Sequence, residues 1–173
     1  MLEALAFLGI LDEPDVEWLV ANSKRQDILS GSILIRLGQP VECLYLIVDG
    51  AFNVTVPVPE EHQVARVYAG ELLGEISFVD WRPPSATVTA AINSSVLAIT
   101  KADLTEKIEN DLGFAARFYK GISLLLAGRL RAAYRDELDL RADAEGTDEL
   151  GVLAARFEEI QRRLKLGRRA KGA

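Results

Sequence analysis

The chain has 173 residues, of which 49% are hydrophobic and 27% charged, a composition typical of a globular protein with a buried core. Its net charge of −6 argues against general nucleic-acid binding, because contacts to phosphates need clustered Lys and Arg. The single cysteine, Cys43, excludes a disulfide framework and indicates a reduced, cytoplasmic setting.

The N-terminal residues predict two short helices, over 2–9 and 13–21. Asp12 is in position to cap the second helix. The start of the chain lacks the basic residues of a signal peptide. The longest uncharged stretch, residues 83–100, is too polar to cross a bilayer. We therefore expect a soluble protein that is not attached to a membrane.

From Asp27 the hydrophobic pattern changes to a period of two, which predicts strands. Asp49-Gly50 is the strongest hairpin signal in the chain, and it predicts that the strand before it pairs with the strand after it. Many short strands separated by turn residues are typical of a sandwich or a barrel. Ile28, Ile33 and Ile35 follow this period before a turn at Gly38, and further strand segments are predicted at 44–48, 51–58, 64–68, 86–91 and 95–100.

Helices are predicted again after the strands. Thr100 is a candidate N-cap because an acid, Asp103, follows three residues later. A short helix to about Glu109 and a long amphipathic helix over 112–134 follow.

The last part of the chain is charged. Residues 142–148 predict a linker, residues 149–165 predict an amphipathic helix, and a basic tail follows. The predicted organisation is one domain over 1–135, with strands at about 26–100 and a hinge and long helix at 101–135, and then a charged appendage over 136–173. We expect the helix at 149–165 to bind a partner protein or to add to an interface between subunits.

Two stretches, residues 33–56 and 67–90, carry glycines in a distinctive spacing. The first is ILIRLGQPVECLYLIVDGAFNVTV and the second is VYAGELLGEISFVDWRPPSATVTA. Together they resemble the cyclic-nucleotide-binding domains of catabolite-activator regulators and of protein kinase A regulatory subunits. The second stretch resembles the phosphate-binding cassette of that family. The resemblance implies an antiparallel, jelly-roll-like β-barrel flanked by helices.

The cassette has a simple physical logic. A glycine before a short helix, here Gly74, lets the backbone approach a ligand closely. A carboxylate beside it, Glu75, can accept hydrogen bonds from a sugar hydroxyl. The resemblance implies that Glu75 holds the ribose 2′-hydroxyl of cyclic AMP or cyclic GMP. The predicted ligand site consists of Gly74, Glu75, Ile76, Arg82, Ser85, Ala86 and Thr87.

The chain departs from the family pattern at the arginine that binds the phosphate. Family members carry an arginine that binds the cyclic phosphate, and this chain has Pro84 and Ser85 at the two positions where it is expected. Arg82 lies two residues earlier, before two prolines that restrict the backbone. We therefore expect weak or non-classical binding of a cyclic nucleotide or a related small anion.

Metal and catalytic sites are not predicted. The chain has one histidine, His62, and one cysteine, whereas a metal site on such a barrel needs several ligands. A nucleophilic triad would need a histidine beside Ser or Cys, and His62 has no obvious partner in the sequence. We therefore expect neither an enzyme nor a required cofactor.

The resemblance implies a stand-alone regulatory module in signalling, with a homodimer formed through the helix at 112–134. The alternative is a degenerate, ligand-free protein-interaction domain. A transcription regulator is a third reading, but too few elements follow the long helix to build a helix-turn-helix, so direct DNA binding is not expected.

Overall fold

The computed structural model describes residues 7–57 and 62–138. The predicted fold class, mainly antiparallel β with flanking helices, is confirmed. In the described residues the strands are β1 (Lys24–Ile28), β2 (Ile33–Ile35), β3 (Cys43–Asp49), β4 (Ala51–Val56), β5 (His62–Tyr68), β6 (Leu72–Leu73), β7 (Thr87–Ala90) and β8 (Ser94–Thr100). The helices are α1 (Glu13–Ala21), α2 (Glu75–Val79), α3 (Lys101–Asn110) and α4 (Leu112–Leu138), and residues 7–10 are also helical.

The described residues fall into two units, and each is considered by itself. The first unit comprises residues 18–110 and contains all the strands named above. The second is formed by residues 7–17 together with residues 111–138. The predicted division at residues 135 and 136 stays a prediction. The predicted linker, the helix at 149–165 and the basic tail lie outside the described residues.

The strands form two four-stranded antiparallel sheets and not one closed barrel. One sheet has the order β1-β8-β3-β6 and the other β2-β7-β4-β5. Both contribute to one hydrophobic core, because alternate side chains of each strand point inward. Fully buried members of this core are Ile47, Phe52 and Val96. Phe78 of α2 is also buried.

The hairpin predicted at Asp49-Gly50 is wrong, although the strands on either side of it are present. β3 pairs with β8 and β6, whereas β4 pairs with β5 and β7, so the two strands lie in different sheets. A Cβ on Gly50 would lie 2.1 Å from the Ser94 Oγ, which is far inside van der Waals contact. Gly50 therefore lets the chain pass from one sheet to the other where it approaches β8 closely.

The predicted N-cap of α3 is confirmed. The Asp103 amide donates a hydrogen bond to the Thr100 Oγ1 over 3.0 Å, and the Thr100 hydroxyl donates to the Asp103 Oδ2 over 2.6 Å. This pairing satisfies one of the amide groups that have no acceptor within the first helical turn. It also fixes where α3 begins, directly after β8.

The second unit has its own apolar core. The Phe7 and Phe118 rings meet edge to face, with 5.5 Å between their centroids. Phe114 and Phe118 stack one helical turn apart on α4, also at 5.5 Å. Helix α4 continues to Leu138, four residues past the predicted end. In the part of the chain that the structure describes, no helix combines the length and the apolar character needed to cross a membrane.

Candidate ligand-binding site

The predicted cassette begins at Gly74, which precedes α2. Its φ of 86° lies in the left-handed region, which disfavours residues that carry a Cβ. A Cβ at this position would lie 3.0 Å from the backbone oxygen of Cys43. The Gly74 carbonyl accepts a hydrogen bond from the Phe78 amide over 3.0 Å. A glycine is thus required both by the turn and by the close approach of β3.

The first residues of α2 differ sharply in exposure. Glu75 is only 3% exposed, whereas Ile76 is 52% exposed. The carboxylate of Glu75 lies in the first turn of the helix, where the helix dipole favours a negative charge. A carboxylate held in this way is an acceptor for hydroxyl groups and not a partner for an anion.

The loop after α2 is held by backbone contacts. The Arg82 amide donates to the Asp80 Oδ1 over 3.0 Å. The Pro84 carbonyl accepts a hydrogen bond from the Gly38 amide over 2.9 Å, so the residue at the expected arginine position anchors a neighbouring turn. This contact is made by the main chain and does not depend on the side chain at position 84.

The three residues after Pro84 have different surroundings. Ser85 is exposed, and Ala86 and Thr87 are half-buried. The Thr87 Oγ1 accepts a hydrogen bond from the Leu37 amide over 3.3 Å. A hydroxyl that accepts one bond can still donate another, so Thr87 keeps the capacity to bind an anion.

Arg82 lines an open cleft of about 570 Å³ between the loop after α2, the turn before β3 and the exposed side of α3. The residues that line this cleft include Pro40, Glu42, Trp81, Arg82 and Lys101. Among the predicted site residues, Arg82 is the one that lines the cleft, whereas Gly74, Glu75, Ile76, Ser85, Ala86 and Thr87 do not belong to its lining. The lining of this cleft therefore brings Arg82 together with Lys101 and Trp81 and not with these six residues.

Trp81 is exposed and strained. Its φ of 58° lies in the left-handed region, and its side chain is 66% exposed. The ring is tilted against Phe78, with 6.2 Å between the ring centroids. The exposure of Trp81 shows that its ring does not fill the interior between the sheets.

Lys101 was not among the predicted site residues. Its ammonium group donates a hydrogen bond to the Ser77 carbonyl over 2.7 Å and lies 5.8 Å from the centroid of the Trp81 ring. Burial lowers the pKa of Lys101, and the carboxylates of Glu42 and Asp80 partly oppose this effect. A lysine at the first position of a helix has no special pattern in sequence, so only the structure identifies this contact.

Burial also affects the two titratable side chains at the start of β3. It raises the pKa of the Cys43 thiol, and the neighbouring carboxylates of Glu42 and Asp103 add to this effect. It likewise raises the pKa of the Tyr45 hydroxyl. Both groups are therefore neutral near pH 7 and do not supply charge to the site.

The residues present fit a cyclic nucleotide only in part. The buried carboxylate of Glu75 fits the hydroxyl end of such a ligand, whereas position 84 supplies no guanidinium for the phosphate. Within the described residues, no cluster of three or more His, Cys, Asp and Glu side chains could hold a metal ion.

Comparison of the sequence with known proteins supports the predicted resemblance. The family model of the cyclic nucleotide-binding domain matches residues 25–111, half of the chain. A cyclic nucleotide-gated potassium channel of Mesorhizobium japonicum is 29% identical over 85 residues, which are 49% of this chain and 22% of the channel. A cAMP-dependent protein kinase regulatory subunit of Dictyostelium discoideum is 30% identical over 94 residues, 51% of this chain and 29% of that subunit. The chain thus spans less than a third of the length of these two relatives.

Solved structures show the same fold. A cyclic nucleotide-binding domain from Methylobacillus flagellatus superposes with a TM-score of 0.71 at 24% identity, covering 78% of this chain and 76% of that one. The catabolite activator protein of Thermus thermophilus has a TM-score of 0.63 at 27% identity, covering 75% of this chain and 59% of that one.

Proposed function

Because the chain belongs to the cyclic nucleotide-binding domain family, we propose that it is a regulatory module that weakly binds a cyclic nucleotide or a related small anionic ligand. The family is a regulatory, ligand-binding family and not a catalytic one. The observation that carries the proposal is the turn at Gly74, which places the buried carboxylate of Glu75 at the start of α2. This is the arrangement expected for holding a sugar hydroxyl.

In this proposal the ligand lies against the cassette. Glu75 accepts hydrogen bonds from the ribose, and the backbone at Gly74 and Ile76 lies close to the ligand. Ser85, Ala86 and Thr87 line the phosphate end, where the Thr87 hydroxyl is available as a donor. Arg82 lies two residues before Pro84 and lines the cleft beside α3.

The substitution at position 84 determines the expected affinity. A hydrogen bond to a charged group contributes about 1.5–3 kcal/mol. Its loss weakens binding by roughly tenfold to a hundredfold or more. We therefore expect a dissociation constant for cyclic AMP or cyclic GMP far above that of a cassette with the arginine.

Calorimetric titration with cyclic AMP and cyclic GMP tests the proposal. Pro84→Arg should tighten binding by at least tenfold, because it restores a guanidinium at the phosphate position. Pro83→Arg is the matched control, since it adds the same charge one residue away and should change the affinity by less than threefold. Glu75→Gln should weaken binding of the Pro84→Arg variant.

One outcome would overturn the proposal. If neither the wild type nor Pro84→Arg releases heat or gains thermal stability at millimolar nucleotide, the chain does not bind these ligands. The second candidate, a ligand-free interaction domain, would then be favoured. The lack of a guanidinium at position 84 supports that candidate, because a phosphate bound there would have no charged side-chain donor from this position.

We also propose that the module is a cytoplasmic homodimer formed through α4. Several apolar side chains of this helix are exposed, namely Leu112, Tyr119, Leu124 and Leu130. Leu112, Tyr119 and Leu130 are seven and eleven residues apart, which places them on one face of α4, and an exposed apolar face is typical of an interaction site. Light scattering coupled to size-exclusion chromatography should give twice the mass of the chain, and Leu130→Glu should shift that mass toward the monomer.

A further inference from the structure

The cassette helix is tied to the helix that follows the strands by one side chain. Lys101 is the first residue of α3, and its ammonium group donates a hydrogen bond to the Ser77 carbonyl over 2.7 Å. Ser77 lies in the middle of α2 and is 3% exposed. The last carbonyls of a helix have no amide donor within it. Lys101 therefore donates to a carbonyl oxygen of a buried residue in the five-residue helix.

A second contact of Lys101 involves the loop after α2. The ammonium nitrogen lies 5.8 Å from the centroid of the Trp81 ring, a distance typical of a cation–π interaction. Trp81 in turn packs against Phe78 of α2. The same ammonium group therefore contacts α2 directly at Ser77 and indirectly through the Trp81 ring.

The backbone of Lys101 is fixed independently of its side chain. Its amide donates a hydrogen bond to the Glu42 carbonyl, which precedes β3, over 2.8 Å. The Thr100 cap holds the next residues of α3. The side chain thus projects from a fixed point, and a displacement of α2 by more than about 1 Å would break its bond to Ser77 or pull on the start of α3.

We propose that Lys101 is a positioning residue that couples the cassette helix α2 to helix α3, so that a change at the ligand site is transmitted to α3 through the Lys101–Ser77 hydrogen bond. The use of this coupling for ligand signalling rests on the proposed function. The coupling itself does not need a ligand, and it is tested without one.

Hydrogen exchange of the full chain, followed by mass spectrometry, gives the test. Gly74→Ala serves as the disturbance, because it perturbs the start of α2 without touching α3. We expect it to speed exchange in residues 101–105 by at least threefold in the protein that retains Lys101. In the Lys101→Met background, which keeps the length of the side chain and removes its charge, the same disturbance should leave exchange in residues 101–105 unchanged.

Two further variants control the experiment. Lys107→Met removes another lysine of α3, one that lies over the Trp18 ring at 5.6 Å. In this background Gly74→Ala should still speed exchange in residues 101–105. Lys101→Arg keeps a donor and should retain at least half of the effect. Phe78→Leu replaces Gly74→Ala as the disturbance if the alanine variant does not fold.

The outcomes separate this proposal from the proposed function. Equal transmission with Lys101 and in the Lys101→Met background overturns the coupling. A failure of cyclic AMP and cyclic GMP to bind overturns the proposed function alone, because the exchange experiment contains no nucleotide. The coupling is supported if Gly74→Ala no longer speeds exchange in residues 101–105 in the Lys101→Met background but still does so in the Lys107→Met background.

Discussion

Arg117 and Asp15 form a bidentate ion pair in the second unit. The Nε and one terminal nitrogen of Arg117 donate to the two carboxylate oxygens of Asp15, over 2.5 and 2.9 Å. Asp15 is 2% exposed. Its amide donates to the Asp12 Oδ1 over 3.1 Å, and the Asp12 amide donates to the Asp15 Oδ2, also over 3.1 Å. The Asp12 carboxylate thus caps α1, as the sequence predicts, while the Asp15 carboxylate accepts the Asp12 amide and binds Arg117 of α4.

Asp15→Asn should destabilise the protein more than Asp12→Asn does. The Asp15 carboxylate is buried and accepts two hydrogen bonds from a guanidinium, and such bonds contribute about 1.5–3 kcal/mol. The Asp12 side chain is 48% exposed, and its ion pair with Arg117 contributes less than about 1 kcal/mol. Urea unfolding of the two variants measures the difference, and equal losses of unfolding free energy would contradict the expectation.

The same pair predicts a loss of stability in acid. Burial of the Asp15 carboxylate raises its pKa. The hydrogen bonds from Arg117 and from Asp12 lower the pKa by more than burial raises it, so the folded pKa lies below the ordinary value. Between the folded pKa and the ordinary value of about 3.9, the unfolded chain binds more protons than the folded protein does. The stabilisation is therefore complete above the ordinary value and is lost as the pH falls through the folded pKa.

Comparison of the wild type with Asp15→Asn measures this effect directly. The difference in unfolding free energy should be constant above about pH 5 and should shrink below about pH 4. A difference that grows as the pH falls from 5 to 3 would show that the carboxylate is not stabilised in its charged form.

Gly74→Ala should cost more stability than Gly31→Ala. Both glycines have a left-handed backbone, with φ of 86° and 82°, and a residue with a Cβ costs about 1–2 kcal/mol in that region. A Cβ on Gly31 would meet nothing within 4 Å, whereas one on Gly74 would lie 3.0 Å from the Cys43 oxygen. Crowding a packed site adds about 1 kcal/mol or more. Chemical denaturation of both variants measures the loss of unfolding free energy. Equal losses would show that β3 moves away from residue 74 freely.

Trp81→Gly should be more stable than Trp81→Ala. Both changes remove the ring and its contacts, so the pair isolates the effect of the left-handed backbone. We expect a difference of about 1 kcal/mol in favour of glycine. At Lys120, an exposed position within α4, alanine should instead be more stable than glycine by about 1 kcal/mol. Thermal unfolding of the four variants compares the two sites. A higher stability of the alanine variant at both positions would contradict the strained conformation of Trp81.

The strands and helices of this protein follow closely from its sequence, because their signals are local. Helix α1 covers the predicted 13–21, and α3 begins directly after its predicted cap at Thr100. The short strand β6 was not predicted, because two residues are too few to show a period. The Asp49-Gly50 turn was assigned to a hairpin because its local signal does not show which sheet the next strand joins.

The site was predictable to a smaller extent. The sequence indicated a turn at Gly74 and a helical turn with Glu75 at its start, and the structure has both. The sequence could not show that Glu75 is buried, that Arg82 lines a cleft with Lys101, or that Lys101 reaches Ser77. These facts depend on contacts between residues more than 20 positions apart in the chain or on the path of the loop after α2.

The sequence by itself determined the family, the order of the elements and the position at which the expected arginine is replaced by Pro84. These properties depend on residue types and their spacing along the chain. Only the tertiary structure decided that β3 and β4 part into two sheets at Gly50 and that Lys101 joins α3 to the cassette helix. The physical reason is that sheet pairing and buried hydrogen bonds are chosen by packing between distant segments, which can override a strong local turn signal.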